Sequence, residues 1–135
     1  MNLGETKIIP YGRQNISNED IEAVVEVLRS DYVTQGPVVP AFEKKVASHV
    51  GVKYGTAVTN ATAALHMSCL ALGVDKGDLV WTVPNSFVAS ASCALFCGAE
   101  IDFVDIDINT YNISIDSLEQ KLREARKKDK VPKAA

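Results

Sequence analysis

A change from strand-like to helical patterning between Gly55 and Gly73 constrains the fold of this chain more than any other feature. Residues 55–59 are small, apolar and partly β-branched, which predicts a short buried strand. From residue 61 the apolar side chains recur on one helical face: Ala61, Leu65, Cys69 and Leu72. Gly73 then supplies a helix stop.

Asn60 and Thr62 lie where this predicted strand passes into the helix. The first N–H groups of a helix lack intrahelical partners, so two interpretations remain open. Asn60 or Thr62 caps the helix with its side chain, or the turn holds a phosphate or carboxylate group.

The composition limits the classes of partner. A chain of 135 residues, 47% of them hydrophobic, is long enough for one globular domain with a core. Its net charge of −3 gives no reason to expect a nucleic acid or a membrane as partner. Residues 119–133 hold seven Lys or Arg against three acids, a pattern typical of a solvated, charged helix.

The three cysteines, Cys69, Cys93 and Cys97, are an odd number with no signal peptide ahead of them. This favours buried thiols in a reducing cytoplasm over a disulfide framework. His66 is the one histidine close to them in sequence, so we expect no metal site.

The first part of the chain predicts an extended arm followed by two helices. Ser17 and Asp20 resemble a capping box for a helix that ends near Ser30. A loop over residues 31–37 leads to a second helix, Val39–Val50, closed by Gly51. The side chains expected to face inward from the second helix are Phe42, Val46 and Val50.

The second part alternates strands with helices. Strands are predicted at Leu79–Val83 and Ile101–Val104, separated by a helix over Phe87–Phe96. A last helix begins at Asp116 or Ser117, with Leu118 and Leu122 on its inner face. This alternation predicts an α/β fold with a parallel or mixed sheet.

Ligands of such sheets gather beyond the carboxyl ends of the strands, where residues 59–62 and 84–87 carry polar side chains. Phe87 there either packs into the core or projects over a ligand. The chain has no Gly-x-Gly-x-x-Gly and no Gly-Lys-Ser/Thr motif, and His49 and His66 fall within helices. The carboxylates expected to form turns rather than bind a metal are Asp102, Asp105 and Asp107.

Several motifs together carry a family resemblance. They are Thr34-Gln-Gly-Pro37, Phe42-Glu43, Asn60-Ala-Thr-Ala-Ala-Leu65, Ala71-Leu-Gly73, Gly77-Asp78, Ser86-Phe-Val-Ala89, Gly98 and Phe103-Val-Asp105. In this order they resemble the DegT/DnrJ/EryC1/StrS family of pyridoxal-phosphate-dependent sugar aminotransferases. Residues 9–14 and 81–90 most resemble the pseudaminic acid branch of that family.

The resemblance implies the N-terminal part of the large domain of a fold-type I transferase, with three layers and a parallel or mixed sheet. Residues 1–37 would form the arm, first helix and substrate loop, and residues 38–135 a partial domain that binds pyridoxal 5'-phosphate. It also implies a homodimer, a UDP-linked keto-sugar as substrate and L-glutamate as amino donor.

Site residues follow from the same resemblance. The cofactor phosphate would lie at Ala61, Thr62 and Ala63, and the ring of Phe87 would stack on the pyridine. The residues expected to contact the nucleotide-sugar are Tyr11, Asp31, Tyr32, Val33, Thr34 and Ala61.

Members of the family run to roughly three times this length. The lysine that anchors the cofactor, and the aspartate that pairs with its pyridine nitrogen, would follow Ala135. We therefore expect an N-terminal fragment without a catalytic residue of its own. Two alternatives remain: an inactive fragment that acts at most as an interaction module, and a sugar dehydratase with His in the place of the lysine.

Overall fold

The computed structural model of the chain describes Pro10 and residues 12–135. Its backbone divides into two compact units, one up to Ala57 and one from Val58. The division predicted after residue 37 stays a prediction, and Tyr11 and most of the predicted N-terminal arm lie outside the described residues. Within those residues, no helix has the length and apolar character needed to cross a membrane.

The first unit contains helices α1 (Asn18–Arg29) and α2 (Val38–Val50). The predicted capping box of α1 is confirmed, because the N–H of Asp20 donates to Ser17 Oγ at 3.2 Å and the N–H of Ser17 donates to Asp20 Oδ2 at 2.8 Å. Gly51 ends α2 in the left-handed conformation, with φ of 74°.

The inner face predicted for α2 is wrong. Phe42, Val46 and Val50 are 58%, 42% and 60% exposed, and Ala47 is the buried residue of the helix. The following segment crosses α2 beside this alanine: a Cβ placed on Gly55 would lie 3.6 Å from Ala47 Cβ. Small side chains therefore decide which face is covered, because they let two backbones approach closely.

The strand predicted over residues 55–59 is also wrong. The N–H of Ala57 donates to the carboxylate Oε1 of Glu43 at 2.8 Å instead of joining a ladder. A strand requires a neighbouring backbone to pair with, and here a side chain of α2 takes that place.

The second unit is built on a parallel pair of strands, β1 (Leu79–Thr82) and β2 (Glu100–Phe103). The helix α4 (Ala89–Phe96) connects them, as parallel strands require a crossover. On the other side of β1, the N–H of Lys133 donates to Leu79 O at 2.7 Å and Val80 bridges to Ala134 in parallel. The prediction of a parallel or mixed sheet is confirmed, and β1 pairs in parallel on both of its sides.

Helices cover both faces of this sheet. Val80 belongs to a cluster with α4 and with α3 (Ala61–Ala71), whose buried members are Cys69, Val74, Val80, Cys93, Ala94 and Ala99. Trp81 belongs to a second cluster with Val104 and with Ala125 of α5 (Ile115–Lys127). Since neighbouring strand residues point to opposite faces, the unit has three layers, and the predicted α/β fold class is confirmed.

The helix α5 begins slightly before the predicted start, because the N–H of Ser117 donates to the hydroxyl of Ser114 at 3.2 Å. Leu118 and Leu122 pack on the second cluster, as predicted. Asp107 is a turn former, as predicted, and its Oδ1 accepts the N–H groups of residues 109 and 110.

The interpretation of Asp102 as a turn former is wrong. It lies in β2, and its Oδ2 is 2.6 Å from Nζ of Lys121 on α5. The same Nζ donates to the carbonyl of Phe103 and lies 4.9 Å from the centroid of the Trp81 ring. The hydrogen bond from Lys121, followed by one from the N–H of Phe103, holds the pKa of Asp102 below its usual range.

Replacing Gly55 by alanine is expected to destabilise the first unit. The new Cβ would lie 2.8 Å from the carbonyl oxygen of Glu43, so the backbone must shift, at a cost of about 1–3 kcal/mol. Urea denaturation checks this, with Gly12→Ala as control because a Cβ there meets nothing within 4 Å. Equal free energies of unfolding in the two variants would contradict the prediction.

Replacing Asp102 by asparagine is expected to reduce the loss of stability in acid. Because the folded-state pKa of Asp102 is lowered, its contribution is complete above the unfolded-state pKa and disappears as the pH falls through the folded-state pKa. The side chain is 53% exposed, so screening keeps this contribution below about 1 kcal/mol.

Free energies of unfolding at pH 7 and below about pH 3 measure the effect of Asp102→Asn. Asp105→Asn is the matched control, since Asp105 Oδ1 accepts the N–H of Ile106 and lies outside the Lys121 pair. The prediction is contradicted if Asp102→Asn loses as much stability in acid as the unsubstituted protein.

Candidate functional site

The N-terminal ends of α3 and α4 lie towards the same edge of the sheet. After α3 the chain turns at Val74 and enters β1 at its amino end, and after α4 it enters β2 at its amino end. The two helix exits are adjacent, because a Cβ on Gly98 would lie 3.6 Å from Lys76 Cβ. Both helices therefore begin towards the carboxyl edge of the strands, where α/β sheets bind ligands.

The first turn of α3 has the cap predicted for it. Asn60 Oδ1 accepts the N–H of Ala63 at 2.9 Å, and Asn60 O accepts the N–H of Ala64 at 3.2 Å. The capping interpretation is thus confirmed for Asn60, and it occupies one of the N–H groups predicted to meet a phosphate. The N–H groups of Ala61 and Thr62, at the first two positions of the helix, keep no acceptor within it.

The electrostatics of this turn suit an anion. The aligned peptide dipoles place partial positive charge at a helix N-terminus, and the first turn of α3 carries no acidic residue that would offset it. Thr62 is half-buried and adds a hydroxyl donor beside the two N–H groups. The donor set of Ala61 and Thr62 therefore fits a phosphate group.

Phe87 lies two residues before Ala89, the first residue of α4, and is 74% exposed. Packing of Phe87 into the core of the described residues is therefore wrong, and its contact with a ligand stays a prediction. The N–H of Ser90 donates to Phe87 O at 3.0 Å, and the hydroxyls of Ser86 and Ser90 lie 2.8 Å apart. This hydroxyl pair was not predicted, although its i, i+4 spacing across a helix start is visible in the sequence.

The predicted substrate loop lies in the first unit, whereas the predicted cofactor residues lie in the second. Tyr11 lies outside the described residues. Tyr32 and Val33 are 60% and 63% exposed. The N–H of Tyr32 donates to Ser30 Oγ at 3.2 Å, and a Cβ on Gly36 would lie only 2.6 Å from Tyr32 Cβ. The loop is thus folded tightly on itself, with Asp31 and Thr34 also exposed.

A cavity of about 480 Å³ lies in the first unit beside α2 and the segment that follows it. It is lined by Pro40, Glu43, Lys44, Ala47, Ser48, Val52, Lys53, Tyr54 and Gly55. None of the predicted site residues within the described part of the chain lines it, so this cavity is a different feature from the turns at residues 60–63 and at Phe87.

His66 and the thiols are packing residues. The ring of His66, on α3, meets the ring of Phe96, on α4, edge-on with centroids 5.5 Å apart. His66 therefore takes part in the packing of α3 against α4. The three cysteines are free, and burial raises the pKa of the Cys69 thiol to about 11, helped by its contacts with Cys93 and Cys97. Such a thiol stays protonated and unreactive at neutral pH.

Comparison with known proteins identifies the family. Residues 14–129 match the model of the DegT/DnrJ/EryC1/StrS aminotransferase family. The chain belongs to this family. The family predicted from the sequence motifs is thereby confirmed, and the match includes the capped turn of α3 and the Phe87 turn.

Similarity to individual relatives supports the same family assignment. The chain is 39% identical over 115 residues to the UDP-4-amino-4,6-dideoxy-N-acetyl-beta-L-altrosamine transaminase of Campylobacter jejuni, a match that covers 85% of this chain and 30% of the relative. The chain thus spans about 30% of the length of the relatives that it matches.

Solved structures of the family share the fold. The sugar aminotransferase Spr1654 from Streptococcus pneumoniae, in its PLP form, superposes with a TM-score of 0.77 at 32% identity, covering 83% of this chain and 29% of that one. The E. coli GDP-4-keto-6-deoxy-D-mannose-3-dehydratase with bound hydrated PLP gives 0.76 at 30% identity, covering 82% and 30%. The fold is therefore that of part of a fold-type I domain.

Replacing Asn60 by alanine is expected to destabilise the second unit by about 1 kcal/mol, because the N–H of Ala63 loses its cap. Amide hydrogen exchange at Ala63, together with the free energy of unfolding, measures the loss. Asn60→Asp should retain the cap, and Asn85→Ala removes an exposed amide shortly after β1 as a control. Unchanged exchange at Ala63 in Asn60→Ala would show that the cap contributes nothing.

Proposed function

We propose that this chain forms the phosphate-binding and ring-stacking part of the site of a pyridoxal-phosphate-dependent sugar aminotransferase. The observation that carries the proposal is the first turn of α3, whose Ala61 and Thr62 donors lie towards the carboxyl edge of the sheet. The exposed ring of Phe87, at the start of α4, supports it. Membership of the family adds that related proteins contain this cofactor.

Each cofactor residue has a definite proposed task. Ala61 and Thr62 donate N–H groups, and the Thr62 hydroxyl a further hydrogen bond, to the phosphate. The N–H of Ala63 already donates to Asn60, so a phosphate takes it only by displacing that amide. Phe87 stacks on the pyridine ring and holds its plane.

The bound cofactor supplies an electron sink that eases proton removal at the carbon bearing the amino group. The residues of this chain bind and orient it: the turn of α3 holds the phosphate end, and Phe87 limits rotation of the ring. In the whole protein, the residues proposed to contact the nucleotide-sugar are Tyr11, Asp31, Tyr32, Val33, Thr34 and Ala61.

The proposed reaction of the whole protein moves an amino group from L-glutamate to C4 of a UDP-linked 4-keto-6-deoxy sugar of the pseudaminic acid pathway. Its support is the 39% identity to the Campylobacter altrosamine transaminase. We further propose that the whole protein is a cytoplasmic homodimer. The lysine that anchors the cofactor is proposed to lie outside these 135 residues, so that this chain alone has no transaminase activity.

A second candidate is a sugar dehydratase with the same cofactor, favoured by the TM-score of 0.76 to the E. coli GDP-4-keto-6-deoxy-D-mannose-3-dehydratase. The residue at the cofactor-anchoring position of the whole protein separates the two, since a dehydratase carries His there in place of Lys. A third candidate is a non-catalytic interaction module, which binding of the cofactor by the whole protein would exclude.

The test measures cofactor binding and turnover of the whole protein. With pyridoxal phosphate, glutamate and UDP-linked 4-keto sugars, an amino sugar and 2-oxoglutarate are expected as products. The 135-residue chain alone is expected to form no borohydride-reducible adduct that maps to one lysine. Failure of the whole protein to aminate any nucleotide-linked 4-keto sugar would falsify the proposed reaction.

Substitutions test the cofactor residues separately. Thr62→Val should weaken pyridoxal phosphate binding by about 10- to 100-fold, because a hydrogen bond to a charged phosphate is lost. Phe87→Ala should weaken it by about 2- to 10-fold through lost stacking. Ser68→Ala is the matched control, since the Ser68 hydroxyl donates to Ala64 O within α3, away from the first turn. Equal affinities in Thr62→Val and Ser68→Ala would remove Thr62 from the site.

A further inference from the structure

Packing does not fix the orientation of the Phe87 ring, because this side chain is 74% exposed. A side-chain cap does not fix it either, since Val88, the N-cap residue of α4, makes no side-chain cap hydrogen bond. The direction in which the ring points therefore depends on the backbone of residues 86–90, and on whatever holds that backbone still.

Two hydrogen bonds constrain the backbone around Phe87. The N–H of Ser90 donates to Phe87 O at 3.0 Å, closing the turn from its C-terminal side. The hydroxyls of Ser86 and Ser90, 2.8 Å apart, join the residue before Phe87 to a residue one turn later. This second bond ties down the residue that precedes the ring.

The Ser90 end of this bond belongs to a rigid element. Ala89 and Cys93, on either side of it, are 4% exposed. The carbonyl of Ser90 also accepts a hydrogen bond from the thiol of Cys93 at 3.5 Å, and Ser90 itself is half-buried. Ser86, by contrast, is exposed and lies in the irregular segment between β1 and α4. The hydroxyl pair thus fastens a surface turn to a helix anchored in the core.

We propose that the Ser86 and Ser90 hydroxyls form a positioning pair that holds Phe87 in the conformation that stacks on the cofactor ring. This inference rests on the proposed function. Both serines are proposed as positioning residues, because they would act on the cofactor through Phe87. Either hydroxyl can donate to the other. The bond needs both hydroxyls, so removing either one abolishes it.

The pair is tested in the whole protein by titration with pyridoxal phosphate. Ser86→Ala and Ser90→Ala should each weaken binding by about twofold to tenfold, the effect of one neutral hydrogen bond. The double variant should be no weaker than the weaker single one, because both substitutions remove the same bond. The induced circular dichroism of the bound cofactor should fall in all three variants, as the ring loses its fixed partner.

Two further variants separate positioning from general stability. Ser90→Thr keeps the hydroxyl and should restore both affinity and dichroism. Ser92→Ala removes a half-buried hydroxyl of α4 outside the pair, and should leave both unchanged. A purely structural role predicts a lower melting temperature in the alanine variants with unaltered dichroism once the site is saturated, and this result would overturn the inference.

The remaining outcomes distinguish the inference from the function on which it rests. If the unsubstituted protein binds pyridoxal phosphate and the alanine variants match it in affinity and dichroism, the positioning pair is wrong and the proposed function stands. Additive losses in the double variant would also overturn the pair. If the unsubstituted protein does not bind the cofactor at all, the proposed function is wrong and the inference falls with it.

Discussion

The packing of α3 against α4 through small buried side chains is the constraint on which the rest of the second unit depends. Ala94 is fully buried, and Cys69 and Cys93 are nearly so. Because these side chains are short, the two helices approach each other closely while covering the same face of the sheet. The packing brings both helix exits to the amino edge of the strands. It thereby directs the first turn of α3 and the Phe87 turn towards the carboxyl edge.

The opposite face is secured differently. The helix α5 is strongly charged, yet Leu118, Leu122 and Ala125 cover Trp81 and Val104. Lys121 places its ammonium group among an aspartate, a backbone carbonyl and the face of an indole. Lys121, one residue of the basic segment 119–133, thus joins α5 to both strands. The charge pattern of that segment alone predicted a solvated helix.

Local signals predicted the features that depend on neighbouring residues. The Ser17 capping box, the Asn60 cap and the left-handed Gly51 all involve groups within a few positions, so their geometry follows from residue type and spacing. The alternation of strands and helices predicted a parallel or mixed sheet, and the observed pair is parallel, as a crossover helix favours. Spacing alone left two interpretations of the turn at Asn60 and Thr62 open, a helix cap and an anion site. The family motifs added the candidate cofactor residues.

The sequence by itself determined the approximate bounds of the helices, the alternation of strands and helices in the second unit, and the cap at Asn60. Only the tertiary structure decided which face of α2 is buried, since the small Ala47 admits the backbone near Gly55 where larger apolar residues would exclude it. It also decided that Glu43 takes the backbone donor of Ala57, and that Asp102 pairs with Lys121, 19 residues further along. These contacts join residues distant in sequence, so their partners are chosen by packing, which no local pattern encodes.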